Sequence, residues 1–243
     1  MTYDNPASRI LAILGSIHGT QANTPCKNAW CSALGIEAGD DAKLVMKLSQ
    51  LMGISLDAVL LMNERFPALK DQTSQWHINF VTALTSQQLN SNIQTFINGY
   101  SRKHSDFLRV MEQMIGISAP AEIDTSLIGE FRNSISNLID ETLASQLEPK
   151  AKNYLVKALR RILAALEDYQ ITGVVPVIES IELVAGHMFT DSHFKNSMST
   201  DFGNKIFSVI GAIADSIAIA TGAPATMWKE LGSTLNGLIG QSS

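Results

Sequence analysis

The sequence predicts an all-α protein, a multi-helix bundle of about ten to twelve helices, short in the N-terminal part and longer in the C-terminal part. Three observations predict it. Apolar residues recur at helical spacing along almost the whole chain, strand-like alternation is found nowhere, and caps, prolines and glycines cut the chain into segments of helical length. With 243 residues, of which 45% are hydrophobic and 17% charged, the chain can bury one large core or two modest ones. We expect a single helical domain over residues 1–243 with a subdomain seam at 116–124, separating a short-helix part (1–115) from a long-helix part (125–243).

The elements follow in order. Asp4 or Asn5 ahead of Pro6 caps a first helix, with Ile10, Leu14 and Ile17 on one face and Gly19 as its stop. Thr24-Pro25 starts a second, which groups Cys26, Trp30 and Leu34 and ends at Gly35. Gly39-Asp40-Asp41 opens a third with Leu44, Leu48 and Leu51, ending at Gly53. Ser55 caps a fourth with Val59, Leu60, Asn63 and Phe66. Pro67 starts a fifth with Leu69, Trp76, Phe80 and Leu84. Thr85-Ser86 caps a sixth with Leu89, Ile93, Phe96, Ile97 and Tyr100, and Ser105 to Ile115 carries Phe107, Val110, Met111 and Met114. Gly116 to Asp124, with its glycine and proline, reads as a linker.

Beyond the linker the helices lengthen. Asp124 and Thr125 cap one that reaches about Gln146, with Leu127, Phe131, Ile135, Leu138 and Thr142 on one face. Glu148-Pro149 starts the next, where Leu155, Leu159, Ile162 and Leu166 oppose Lys150, Lys157, Arg161 and Asp168. Gly173 then separates it from a helix running to Phe189, and so short a connection predicts antiparallel neighbours. A polar loop from Thr190 to Thr200 leads into Gly203 to Pro224, and Pro224 starts a last helix with Met227, Trp228, Leu231, Leu235 and Leu238.

The stretch from Gly203 to Pro224 has two readings. Ile206, Ile210, Ile213 and Ile217 form a narrow stripe, opposite Asn204, Ser208, Gly211, Asp215 and Gly222. It suits the central helix of a bundle, or a membrane-entering helix in which Asp215 is a buried or gating carboxylate facing a partner. Its large apolar residues favour insertion by roughly 0.5 kcal/mol each, and a mid-helix Asp opposes it by about 3 kcal/mol. The sum is near zero, which favours packing against helices of the same chain.

Ala158 to Gly186, ALRRILAALEDYQITGVVPVIESIELVAG, resembles a helix-Gly-helix block found in uncharacterised bacterial helical proteins. The resemblance covers about thirty residues. It implies a helical fold and a bacterial source, and no function.

Composition narrows the function classes. A net charge of −5 argues against an obligatory nucleic-acid partner, which needs a clustered basic surface. The two cysteines, Cys26 and Cys31, diverge by about 140° on a helix, which argues against a disulfide and fits a reducing cytoplasm. The N-terminus lacks the basic region and small-residue cleavage site of a signal peptide. The expected location is cytoplasmic, with membrane association as the alternative.

Few residues suggest chemistry, and no cofactor or metal is expected. His187, Asp191 and His193 are of metal-ligating type, in a spacing that matches no established zinc pattern. Lys150, Lys157 and Arg161 align within about 40° on their helix, as a row that could meet a phosphate or an anionic lipid headgroup. Met227, Trp228, Leu231, Leu235 and Leu238 form an apolar terminal face that needs a cover, and so an expected partner-binding or oligomer surface. The leading expectation is a non-enzymatic protein that binds another protein or itself. The alternative is a membrane-active effector that inserts residues 203–239 as a helical hairpin. The third is a metal-dependent enzyme centred on His187 and His193.

Overall fold

The computed structural model describes residues 4–116, 123–191, 194–195 and 200–221, and they are all-α. The chain divides into two compact units, Met1–Pro120 with Gln170–Gly173, and Ala121–Tyr169 with Val174–Ser243. The division in sequence falls inside the 116–124 linker, with the last residues before Gly173 counted in the first unit.

The first unit holds α1 (Pro6–Gly19), α2 (Cys26–Ala33), α3 (Asp41–Arg65), α4 (Lys70–Ser86), α5 (Gln94–Gly99) and α6 (Arg102–Gly116). Helix α1 starts at a capping box. The Asn5 side chain accepts from the Ser8 backbone N–H at 3.0 Å, and the Ser8 hydroxyl accepts from the Asn5 N–H at 3.2 Å. Its stripe, Ile10, Ile13, Leu14 and Ile17, is wholly buried against α2, α3 and α6. An aromatic cluster closes the other side of the core. Phe96 of α5 meets Trp30 edge-on at 4.9 Å, and Tyr100 meets Phe80 edge-on at 5.2 Å. Trp76 donates its indole N–H to the Tyr100 hydroxyl at 2.9 Å.

Three local expectations are corrected. The third and fourth predicted helices are one helix of 25 residues, α3. Gly53 does not stop it because the apolar phase runs through unbroken: Leu44, Leu48, Leu51, Ile54, Ala58, Val59 and Met62 are all buried. An interior Gly costs about 1 kcal/mol, less than so long a buried stripe returns. Ser55, expected as a cap, is instead buried within that helix. Its hydroxyl donates to the Met52 carbonyl at 2.7 Å and lies at hydrogen-bond distance, 2.8 Å, from His77 Nδ1 of α4.

Thr85-Ser86 ends α4 rather than opening a new helix. Gln87 turns its side chain inward, and residues 88–93 form a connection whose backbone pairs with the start of α2. Cys26 N donates to Ser91 O at 2.8 Å and Ile93 N to Thr24 O at 2.9 Å. Thr24 therefore gives its carbonyl to this bridge, and α2 begins without a side-chain cap.

Arg9 of α1 donates through Nε to the Ile171 carbonyl at 2.8 Å and pairs with Asp4. Gly173 sits beside that guanidinium with φ of +73°, in the left-handed conformation that ends a helix, where a Cβ would collide with Arg9.

The second unit holds α7 (Thr125–Ala144), α8 (Pro149–Thr172) as far as Tyr169, α9 (Val175–Thr190) and α10 (Asp201–Thr221). Its core is drawn from Ile135 and Leu138, from Leu155, Leu159, Ile162 and Leu166, and from Val177, Ile181 and Val184. The isoleucine stripe of α10, Ile206, Ile210, Ile213 and Ile217, is buried in that core. Helices α8 and α9 return on one another as the short Gly173 connection predicts: Tyr154, early in α8, donates to the Leu183 carbonyl late in α9 at 3.2 Å.

Candidate functional site

Two surfaces merit attention, one in each unit. In the second unit, the last turn of α9 places His187 flat on the Tyr154 ring, with centroids 3.6 Å apart and planes at 17°. Phe194 stands across both rings at 4.9 Å. Asp191 ends α9 and accepts the Phe194 N–H at 3.0 Å, which holds that aromatic in place. Beside these rings lies a cleft of about 310 Å³, also lined by Glu148, Lys150, Asn153 and Lys157.

The cleft joins two of the sequence candidates. Lys150 and Lys157 of the basic row share it with His187 and Asp191. Arg161 is exposed and close enough for its charge to favour the Tyr154 phenolate, while the larger effect of burial pushes that phenol upward. Lys150 Nζ lies 3.3 Å from the Asp191 carboxylate, so its charge is partly matched within the cleft. His187 Nε2 is 3.7 Å from the same carboxylate, beyond hydrogen-bond length. Among the described residues no three His, Cys, Asp or Glu side chains are grouped to hold a metal ion, and His193 lies outside those residues. The cleft presents two lysines and two carboxylates around a closed aromatic stack, a mixed-charge surface with no single preference.

Asp215, expected as a buried or gating carboxylate, is exposed. The reason is its phase: it stands on the side of α10 opposite the isoleucine stripe, and that stripe faces the core of its own unit. Met227, Trp228, Leu231, Leu235 and Leu238 lie outside the described residues.

No protein-family model, curated protein or solved structure matches the chain.

The second surface is the outward face of α3, and the sequence reading missed it. Val45 is 53% exposed, Met46 50%, Leu56 45% and Leu60 57%. From Val45 to Leu56 every exposed position is uncharged, since Lys47 is turned inward and buried. Single exposed apolar residues are ordinary, whereas four large ones along one side of one helix make a patch. Helix α4, which packs against α3, also exposes Ile78, on the side opposite its own buried stripe. The signal was present in the sequence, but ending a helix at Gly53 divided the face between two short helices and concealed its length.

By length and composition, α3 and α10 are each apolar enough to cross a membrane, with mean hydropathy of 1.6 and 1.4 over their most apolar windows. Core helices meet the same criterion, and both helices bury a full stripe in the core of their own unit.

Proposed function

We propose that this chain works by binding another protein, and that the outward face of α3 makes the contact. The observation that carries the reading is the uncharged exposed run from Val45 to Leu56, continued by Leu60, on a helix whose other side is fixed in the core of the first unit. Removing such a surface from water favours a complex by roughly 25 cal/mol per Å² of apolar area, against the freedom lost on association, and a rigid helix adds little further entropy cost on docking. The cleft of the second unit, with its matched charges, supplies no comparable drive.

The reading is tested by placing a photo-crosslinking amino acid at Leu56 of the full chain in its host cells, with Asn153 of the second unit as the control position. A discrete adduct from position 56 and none from position 153 is expected. Absence of any adduct at position 56 contradicts the reading.

The membrane-active alternative has the length and hydropathy of α10 on its side. It requires the buried isoleucine stripe to leave its core, and the cost falls on the core residues left behind, such as Leu159, Ile162 and Val177, at roughly 1.5–3 kcal/mol for each side chain fully exposed to water. Recovery of the native chain in carbonate-washed membranes would favour that alternative over a protein partner.

A further inference from the structure

The geometry points to a second copy of this chain as an occupant of the α3 face, packed antiparallel with Gly53 against Gly53; this rests on the reading of that face as a protein-binding surface.

Gly53 is the middle residue of helix α3, twelve positions from each end, and a matched pair of large apolar residues stands about it. At 100° per residue, Gly53 is opposite the middle of the buried stripe formed by Leu44, Leu51, Ala58 and Met62. It is exposed, and a Cβ added there would meet nothing within 4 Å, so two backbones can approach closely at this point. Met46 and Leu60 each lie seven positions from Gly53, within about 20° of its direction.

A two-fold axis through Gly53 therefore places Met46 of each copy against Leu60 of the other. A single self-complementary patch of this kind is what a closed dimer requires. Charge agrees near the ends: the axis brings Glu64 within one position of Lys43, and both lie on the Gly53 side of the helix. The helix dipoles also run in opposition. A parallel pairing would set Glu64 against Glu64.

Size sets the strength. A helix of 25 residues offers a strip about 37 Å long and about 10 Å wide, less than the roughly 800 Å² per partner of a standard interface. The dimer is accordingly a small, reversible one. A lipid surface fits the face less well. Helices that lie in a membrane interface carry lysines, arginines and aromatic rings. The exposed positions from Val45 to Leu60 carry no aromatic and only the negative charge of Asp57, in a chain of net charge −5.

The test is sedimentation equilibrium of the full chain from about 5 to about 500 µM, on wild type, Met46→Lys, Leu60→Glu and an equimolar mixture of the two variants. Wild type is expected to pass from monomer to dimer over this range, and each variant alone to associate at least about 10-fold more weakly. The mixture is expected to recover to within about 3-fold of wild type, because the introduced lysine faces the introduced glutamate at one contact while the native Met46–Leu60 contact remains at the other. Both positions are exposed, and Met46→Arg with Leu60→Asp forms a second pair should either first variant fail to fold. A wild-type monomer throughout, a dimer indifferent to Met46→Lys, or loss without recovery in the mixture overturns the inference. So does a monomer that binds neutral lipid vesicles. A monomeric chain that still gives an adduct to a different protein from position 56 overturns the dimer alone; absence of both dimer and adduct overturns the α3 reading as well.

Discussion

Trp30 donates its indole N–H to the side-chain carbonyl of Gln87 at 2.7 Å, and both residues are buried in the first unit. The same oxygen receives the Cys26 thiol at 3.3 Å, and the Gln87 amide donates to the Leu84 carbonyl at 3.0 Å. One glutamine thus satisfies the start of α2 and the end of α4 together. Replacing Gln87 with Leu leaves the Trp30 N–H buried without an acceptor, at about 1–3 kcal/mol. In urea unfolding, the further substitution Trp30→Phe is expected to cost less in the Gln87→Leu background than in wild type, because it removes the orphaned donor.

Burial pushes the Cys26 thiol up to about 11 and raises Cys31 as well. Neither is a reactive thiolate near neutral pH. With a disulfide-exchange reagent at about pH 8, the native chain is expected to react far more slowly than the urea-unfolded chain, in which both thiols titrate at once. Rapid labelling of the native form would contradict this packing.

Gly53 is in the middle of α3 with open space where a side chain would be. Gly53→Ala should raise the unfolding free energy by about 0.5–1 kcal/mol, measured at a concentration low enough to keep the chain monomeric. A destabilising effect would mean that the helix is interrupted at this residue.

Much of the fold is legible in the sequence because it depends on local rules. Asn5-Pro6 caps α1, the isoleucine stripe marks the buried side of α10, and Gly173 ends α8 where a left-handed residue is needed. The misreadings come from tertiary context. Gly53 reads as a stop to propensity alone, yet the helix continues because its buried face is continuous across α1 and α4. Ser86 reads as a cap, but the inward turn of Gln87 toward Trp30, 57 residues away, decides that α4 ends there. The site followed the same pattern. The basic row and His187 could each be picked out, but their meeting in one cleft depends on the return of α9 along α8, and the α3 face appeared only once the two short helices became one.

His77 is held below its ordinary pKa by burial beside Ser55. The folded chain therefore binds less of this proton than the unfolded chain, whose histidine titrates near about 6.5. Stability contributed by His77 is full above that pH and is lost as pH falls toward the depressed folded value. Urea midpoints are expected to decline between about pH 7.5 and 5.5, and His77→Gln is expected to remove part of the decline. An equal decline in the variant would assign the pH dependence to other groups.

The central claim, that the α3 face is covered by a protein partner, is tested most directly by the oxidation of Met46, which is half exposed. Hydroxyl-radical footprinting, read by mass spectrometry, compares the full chain purified and dilute with the same chain in intact cells. The buried Met62 and Met111 serve as slow internal references. Met46 is expected to oxidise readily when dilute and to be protected several-fold, relative to those references, in cells. Equal reactivity of Met46 in both settings would contradict the account.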